Sequence, residues 1–347
     1  MRREMTTNMT ESRIRNTGLR RMALTLLSAA GIAVSGAAAS AQDKYPSKPI
    51  RVLVPYAPGG ATDIVARAVG DQLKNVLGQA FVVENKPGAF GIIAIEEMAR
   101  SKPDGYTLML GNVTTNAITP ILHGSKFSIK YDQDVTPVAR INDIPAFVVV
   151  TSRNFAPKTM AEFVDYAKKN PGKVRYGHVG VGSYPHFDGE VLAKAAGIEM
   201  LAVPNKAGAA GILKDLATGD VQMAFLNVAS SAGLVKSGQI RPIAVVNPTR
   251  LPDYPDVPTM AEVGFKNVGT LAWQGLFAPG GTPKEVLDTL NAGILKALDS
   301  PALKESFGRQ YFNIVPTKSH DEAKKWLADD IAAWRKITSD VKLDMSN

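Results

Sequence analysis

Apolar residues in this chain come in short unbroken runs, each followed by a stretch that is apolar on one face only. Ile50-Arg-Val-Leu-Val54 reads as a buried strand, and residues 64–77 then place apolar side chains at helical spacing. The loop between them, Pro55-Tyr-Ala-Pro-Gly-Gly-Ala-Thr-Asp63, holds two prolines, two glycines and Thr62, whose hydroxyl is placed to cap the helix. The pattern repeats. Residues 81–84 form a second strand, Asn85-Lys-Pro-Gly-Ala-Phe-Gly91 a second glycine loop, and 92–101 a helix. A turn at Pro103-Asp-Gly105 leads to a strand over 106–110 and a polar loop over 111–116, which holds Asn112 and Thr115. Alternation of this kind argues for a parallel sheet covered on both faces.

A second alternating block begins after the run Phe147-Val-Val-Val150. Residues 159–169 predict an amphipathic helix and 174–176 a strand. The loop Gly177-His-Val-Gly-Val-Gly-Ser-Tyr-Pro-His186 then opens a helix to about 196, with Ser183 at the cap and Pro185 in the first turn. Strands follow at 199–203, 221–225 and 241–246, with Pro204-Asn-Lys-Ala-Gly208 opening a helix to about 217 and residues 226–229 leading into one that ends at 236. Residues 248–267 are proline-rich and irregular. Leu271-Ala-Trp-Gln-Gly-Leu-Phe277 reads as a return strand, and Thr282-Pro-Lys-Glu285 as a capping box opening a helix to about 299. Helices over 302–310 and 321–343 complete the chain.

The expected architecture is α/β, with two doubly wound sheets joined by two crossover strands. The first lobe takes residues 42–147 and 271–347, the second 148–270. A ligand cleft is expected at the C-terminal edges of both sheets, where open α/β sheets bind ligands. Three strand–glycine-loop–helix junctions would meet there. Each offers free amides and the positive end of a helix dipole, which suits an anion.

Composition narrows the chemistry. The chain has 347 residues, 45% apolar and 21% charged, and no cysteine, which excludes disulfides and thiol catalysis. Residues 1–41 carry six Lys/Arg, an apolar small-residue run over 22–36 and Ala39-Ser-Ala41, the signature of a cleaved secretory signal. Without them the formal charge falls from +8 to +4. No basic stripe with interleaved aromatics suggests nucleic acid. No P-loop, nucleophile elbow or His-Glu-x-x-His occurs, so no cofactor, metal or catalytic residue is expected. His123 and His320 are read as surface residues, His186 as a structural hydrogen-bonder and His178 as a pocket wall. Asp63 is assigned to the first helical turn, and Asp329-Asp330 to a solvated face. Trp326 and Trp334 are read as core, while Trp273 is placed at the cleft.

Several motifs in register resemble one family. They are Lys48-Pro-Ile-Arg-Val-Leu-Val-Pro-Tyr-Ala-Pro-Gly-Gly-Ala-Thr-Asp63, Val82-Val-Glu-Asn-Lys-Pro-Gly-Ala89, Pro103-Asp-Gly-Tyr-Thr-Leu108, Pro185-His186, Leu251-Pro-Asp-Tyr-Pro-Asp-Val-Pro-Thr259 and Leu276-Phe-Ala-Pro-Gly-Gly-Thr-Pro283. The family is the tripartite tricarboxylate transporter substrate-binding proteins, or Bug receptors. The resemblance implies a type II periplasmic-binding-protein fold and a monomeric periplasmic receptor. Such a receptor closes on a small organic carboxylate and passes it to an integral-membrane permease. The alternatives are a sensor docking on a membrane signalling protein and a hydrolase on the same scaffold. The implied ligand-binding positions are Tyr56, Ala57, Pro58, Gly59, Gly60, Ala61, Thr62, Asp63, Asn112 and Thr115 on the first lobe. Across the cleft they are His178, Val181, Gly182, Ser183, Tyr184, His186, Asn205, Ala207, Gly208, Leu226 and Asn227, with Trp273 on the return strand. The chain departs from the family pattern at Ala57, at Gly88-Ala-Phe-Gly91, and at His178, Val179, Val181, Tyr184, Asn205 and Leu226. Those departures make the second-lobe wall more apolar and point to a ligand with an apolar or aromatic body.

Overall fold

The computed structural model describes residues 45–205, 207–341 and 343. The expected signal segment and its cleavage after Ala41 lie outside them. In chain order the elements are β1 (Ile50–Val54), α1 (Ala61–Leu77), β2 (Phe81–Asn85), α2 (Ile92–Ala99), β3 (Thr107–Asn112) and β4 (Val135–Ile144). The second sheet's elements follow: β5 (Ala146–Thr151), α3 (Met160–Lys169), β6 (Val174–His178), α4 (Tyr184–Ala196), β7 (Met200–Pro204), α5 (Gly208–Thr218), β8 (Met223–Asn227), α6 (Val228–Lys236) and β9 (Ile240–Val246). The chain then returns through β10 (Ala272–Pro279), α7 (Lys284–Leu298), α8 (Pro301–Arg309), β11 (Asn313–Ile314) and α9 (His320–Asp340).

Both sheets are mixed rather than parallel. The first has the order β11-β4-β10-β3-β1-β2 and the second β7-β6-β8-β5-β9. In the first, β1 runs parallel to β2 and β3, while β10 is antiparallel to both β3 and β4. In the second, β6 is parallel to β7 and β8, and β5 is antiparallel to β8 and β9. The two antiparallel strands are the ones reached by crossing. Only Pro145 separates β4 in one sheet from β5 in the other, and residues 247–271 carry the chain back to β10. All six residues of β5 and all eight of β10 are buried, as central strands covered on both faces must be. This explains why their sequences are almost continuously apolar.

Helix ends follow local chemistry, with three corrections to the sequence reading. α1 begins at Ala61 with Gly60 as its cap residue, so Thr62 lies inside the first turn and caps nothing. Ser183 holds the cap position of α4, but its hydroxyl donates back to the Gly180 carbonyl at 2.7 Å. The expected capping box at 282–285 does not form: Thr282 donates to the Pro279 carbonyl at 2.8 Å, and Pro283 is the cap residue. Elsewhere side chains do cap, as when Thr159 accepts the Glu162 amide at 3.2 Å. β8 starts two residues later than expected, which draws Leu226 and Asn227 into the strand. The polar loop at 111–116 ends β3 and then coils into helical turns.

The first sheet packs between α1, α7 and α9, and its core also takes in Phe187 of α4. The second sheet has two apolar layers. One gathers Phe163, Tyr176, Leu192 and Phe225, the other Phe147, Ile212, Leu216 and Leu226. His320 is buried rather than exposed, with Nδ1 at 2.8 Å from the Pro137 carbonyl. Asp329 is solvated and pairs with Lys325, but Asp330 accepts the Trp273 indole N–H at 2.9 Å. Burial pushes the Asp330 carboxyl up to about 6. Trp334 is core, as expected, and packs edge-on to Phe187 at 5.6 Å.

Candidate functional site

A cavity of about 280 Å³ lies where the loops after β1, β2 and β3 meet the loop after β6. Its walls are Pro55, Tyr56 and Ala57; Pro87, Gly88, Phe90 and Gly91; Asn112 and Thr114; and Val179, Gly180, Val181, Ser183 and Tyr184. A larger hollow of about 590 Å³ lies on the second sheet's outer face, around Lys158–Asp165 and Pro258–Phe265. Its walls come from the second lobe alone, and it touches none of the three glycine loops. The smaller cavity is the candidate, because both sheets present their C-terminal strand ends to it.

The opening loop is held by Asp63. Its carboxylate is buried and accepts from the Gly59 amide at 2.9 Å, the Asn85 side-chain amide at 2.9 Å and the Arg67 guanidinium at 3.1 Å. Burial works against the charge, but the bonds from Arg67, Gly59 and Asn85 outweigh it and hold the carboxyl below its ordinary range. Asn85 also donates to the Tyr56 carbonyl at 3.0 Å, so one cluster ties the loop to β2. Asp63 is therefore a positioning residue, spent on the loop itself. The first-turn amides of Ala61, Thr62 and Asp63 find no acceptor among the described residues.

Beneath the cavity, Tyr56 donates to Asn112 Oδ1 at 2.8 Å, and the Thr115 amide reaches the same oxygen at 3.2 Å. Thr62 Oγ1 lies 3.4 Å from Asn112 Nδ2 and 3.3 Å from Gln274 Nε2, so Thr62 joins the floor instead of capping. Burial raises the Tyr56 and Tyr184 phenols well above their ordinary range, so both stay neutral donors. Replacing Tyr56 with phenylalanine removes one of the bonds that aim Asn112. It is expected to weaken ligand binding by about 0.5–1.5 kcal/mol with little change in fold stability, read by calorimetric titration beside a denaturation curve.

Across the cavity, His178 and His186 stack at 4.0 Å and 13°. Each Nδ1 accepts a loop amide, from Gly180 at 3.3 Å and from Gly182 at 3.2 Å. His186 is thus the structural hydrogen-bonder read from the sequence. His178 is not a cavity wall; it is buried behind the loop and helps set its turn. Burial lowers both imidazoles, and His178 lowers His186 further, to about 4, so the pair is neutral. The opposite lobe is close: the Tyr184 amide lies 3.5 Å from Thr114 Oγ1, and Lys194 Nζ reaches the Asp340 carbonyl at 2.9 Å.

Of the positions singled out in the sequence, Tyr56, Ala57, Asn112, Val181, Ser183 and Tyr184 line the cavity; Gly59, Thr62, Asp63, Thr115, Gly182 and His186 belong to hydrogen bonds within the adjoining loops and helix starts, and Gly60 is the cap residue of α1. Pro58 stands exposed on the loop, and Ala61 is the first helical residue. The third loop supplies no wall. Asn205 spends its amide on Asp215 at 2.6 Å and on the Ala207 N–H at 2.9 Å, and Gly208 opens α5 beside them. Leu226 is buried in the second lobe's core, and Asn227 caps α6 through the Ser230 amide at 2.9 Å. Trp273 is buried against Trp326 at 4.5 Å, on a different hollow from the candidate cavity. The walls absent from the positions implied by the sequence are Pro87, Gly88, Phe90 and Gly91, together with Pro55, Thr114, Val179 and Gly180. The glycine loop after β2 was the signal for the first four. His123, expected at the surface, is buried and stacks on Phe90 at 4.6 Å and 24°. Among the described residues no cluster of three His, Asp or Glu side chains is placed to hold a metal.

Two mixed α/β sheets with a walled cavity between their strand ends define a solute-binding protein of the periplasmic-binding-protein fold. Solved structures of that fold align along most of the chain. A Rhodopseudomonas palustris protein solved with adipate matches with TM-score 0.78 and 30% identity, covering 86% of this chain and 99% of the other. MatC from Rhodopseudomonas palustris, with bound malate, matches with TM-score 0.74 and 28% identity, covering 84% and 99%. Protein BugT of Bordetella pertussis is 32% identical over 304 residues, 87% of this chain and 92% of that protein. Residues 65–343 match the family described as tripartite tricarboxylate transporter family receptor, and the chain belongs to that family. It is accordingly a solute-binding receptor and not an enzyme.

Proposed function

We propose that the chain is a periplasmic receptor that captures a small organic carboxylate in the cavity between its two sheets and delivers it to a tripartite tricarboxylate-type permease. The observation that carries this reading is the composition of the walls. They come from both sheets and include no lysine, arginine, histidine, aspartate or glutamate. An anion there is held by backbone amides and neutral hydroxyl and amide groups, for which the free first turn of α1 is suited. The rest of the wall is apolar, which favours a ligand with an apolar or aromatic body and disfavours an ammonium without a carboxylate partner. Adipate and malate in the two R. palustris structures belong to the same chemical class.

Capture is by hinge closure, with the populations of open and closed forms shifted by a ligand that touches both lobes. Phe187 of α4 seated against Trp334 of α9, and Tyr184 beside Thr114, are the contacts such a closure makes. Among the described residues no helix is long and apolar enough to cross a membrane. Thermal-shift measurements on the mature protein against a panel of carboxylates test the reading. A bound acid raises the melting temperature in proportion to the logarithm of its concentration above Kd. A flat panel, with no acid found by mass spectrometry in the purified protein, would contradict it.

A further inference from the structure

The loop between β2 and α2 holds four consecutive residues at positive φ: Gly88 (128°), Ala89 (45°), Phe90 (57°) and Gly91 (91°). Glycine adopts such angles freely, whereas an L side chain there is strained. The glycines are needed. A Cβ at Gly91 would come within 2.6 Å of Thr115 Cγ2, and one at Gly88 within 2.9 Å of Ile93 Cδ1. Phe90 is the residue that a glycine could replace without backbone cost. It is nonetheless a large aromatic, 46% exposed, at the wall of the binding cavity. Strain kept at a ligand wall is an observation that asks for a function.

Its surroundings fix its orientation. One ring face lies on the buried His123 imidazole at 4.6 Å and 24°, and the Phe90 carbonyl accepts from Thr119 Oγ1 at 3.0 Å. Burial lowers the His123 imidazole, so it packs against the ring as a neutral group. The walls contributed by the second sheet include Val179 and Val181, both β-branched and apolar, with Tyr184 beside them. Together with the Phe90 ring these give the cavity apolar walls from both sheets. No cation lines the cavity, so a second carboxylate on the ligand body would lose water there without gaining a charge partner.

We infer that Phe90 is a specificity-determining residue, the stacking platform for a planar-ring monocarboxylate whose carboxylate is held at the opening loop. This rests on the receptor reading above and adds the class of ligand to it. Offset stacking of a ligand ring on the Phe90 face selects flat bodies over flexible aliphatic ones.

The test is calorimetric titration of the full mature chain with benzoate, malate and adipate, in wild type, Phe90→Gly and Phe90→Tyr. Wild type is expected to bind benzoate more tightly than either dicarboxylate. Phe90→Gly is expected to weaken benzoate on the order of three- to tenfold and to weaken the dicarboxylates by less. Phe90→Tyr keeps the ring and is expected to restore benzoate binding. The glycine variant relieves the positive φ but loses the His123 stack, so its melting curve is recorded beside the titrations, and Phe90→Tyr, which keeps the stack, separates a folding defect from a lost platform. Equal benzoate affinity in wild type and Phe90→Gly, or a wild type that prefers malate or adipate, overturns the role of Phe90 and leaves the receptor reading standing. A wild type that binds no carboxylate at all overturns both.

Discussion

Replacing Asp63 with alanine is expected to cost about 2–4 kcal/mol of stability and to weaken carboxylate binding at least ~tenfold. The reason is the number of groups that one buried carboxylate satisfies. The Gly59 amide, the Asn85 side chain and the Arg67 guanidinium all converge on it. Alanine leaves the Gly59 N–H and one Asn85 N–H without that acceptor, while Asn85 keeps its bond to the Tyr56 carbonyl. Arg67 is half exposed and can turn to water, so the loss is that of two orphaned donors more than of an ion pair. The Pro55–Gly60 loop keeps the Asn85–Tyr56 tie to β2 but loses the bond at Gly59, which loosens the start of α1. Asp63→Asn is expected to fall between, since it keeps one acceptor oxygen but sets an N–H against two donors. The pH dependence follows from the sign of the shift. The folded carboxyl sits below its unfolded value, so its contribution is complete above the unfolded pKa of 3.8 and is lost as pH falls through the folded value. Urea denaturation of wild type and Asp63→Ala at pH 7 and pH 3 reads this directly. A gap that stays the same at both pH values, or ligand affinity that is unmoved in the variant, contradicts the positioning role.

The alternating pattern carried most of the fold because each strand–loop–helix unit is local. β1 and α1, or β6 and α4, are written in adjacent residues. The order of strands is not local. Nothing in Leu271–Phe277 says that β10 enters between β3 and β4, antiparallel to both. The site divides in the same way. The loop after β1 is legible as an amide-rich turn, whereas the role of Asp63 depends on Asn85, 22 residues away. Trp273 shows the opposite failure. Its position in the return strand is right, but strand residues alternate faces, and its indole packs on Trp326 of α9 while the next residue, Gln274, reaches Thr62. His123 and Phe90 were each read alone, one as surface and one as part of a departure from the family pattern. Only the fold, which brings the chain after β3 against the loop after β2, makes them a pair.

Asp188→Asn is expected to stabilise the protein at pH 8 by up to about 4 kcal/mol, the largest gain any single change here should give. Asp188 lies in α4, 3% exposed. One carboxylate oxygen accepts from Thr270 Oγ1 at 2.6 Å, and the other has no hydrogen-bond partner. Burial raises the carboxyl from 3.8 to about 7, and the bonds from Thr270 recover only part of that. In the unfolded chain the proton leaves near pH 4, while the folded protein keeps it until about pH 7. Between those values the folded state binds more protons than the unfolded one, so stability falls as pH rises through this window and levels off above it. Asparagine has the same shape, keeps an acceptor for Thr270 and cannot ionise. Its melting temperature is therefore expected to hold steady from pH 5 to pH 8 at this site, while wild type declines. Calorimetric melting of both proteins across that range decides the matter. A wild type that gains stability toward pH 7 relative to the variant, or an asparagine variant that melts lower at pH 8, would mean the carboxylate is paired or solvated in the folded protein. The Thr270 bond ties α4 to the segment leading into β10, and ionisation strengthens that one bond while leaving the second carboxylate oxygen buried without a partner.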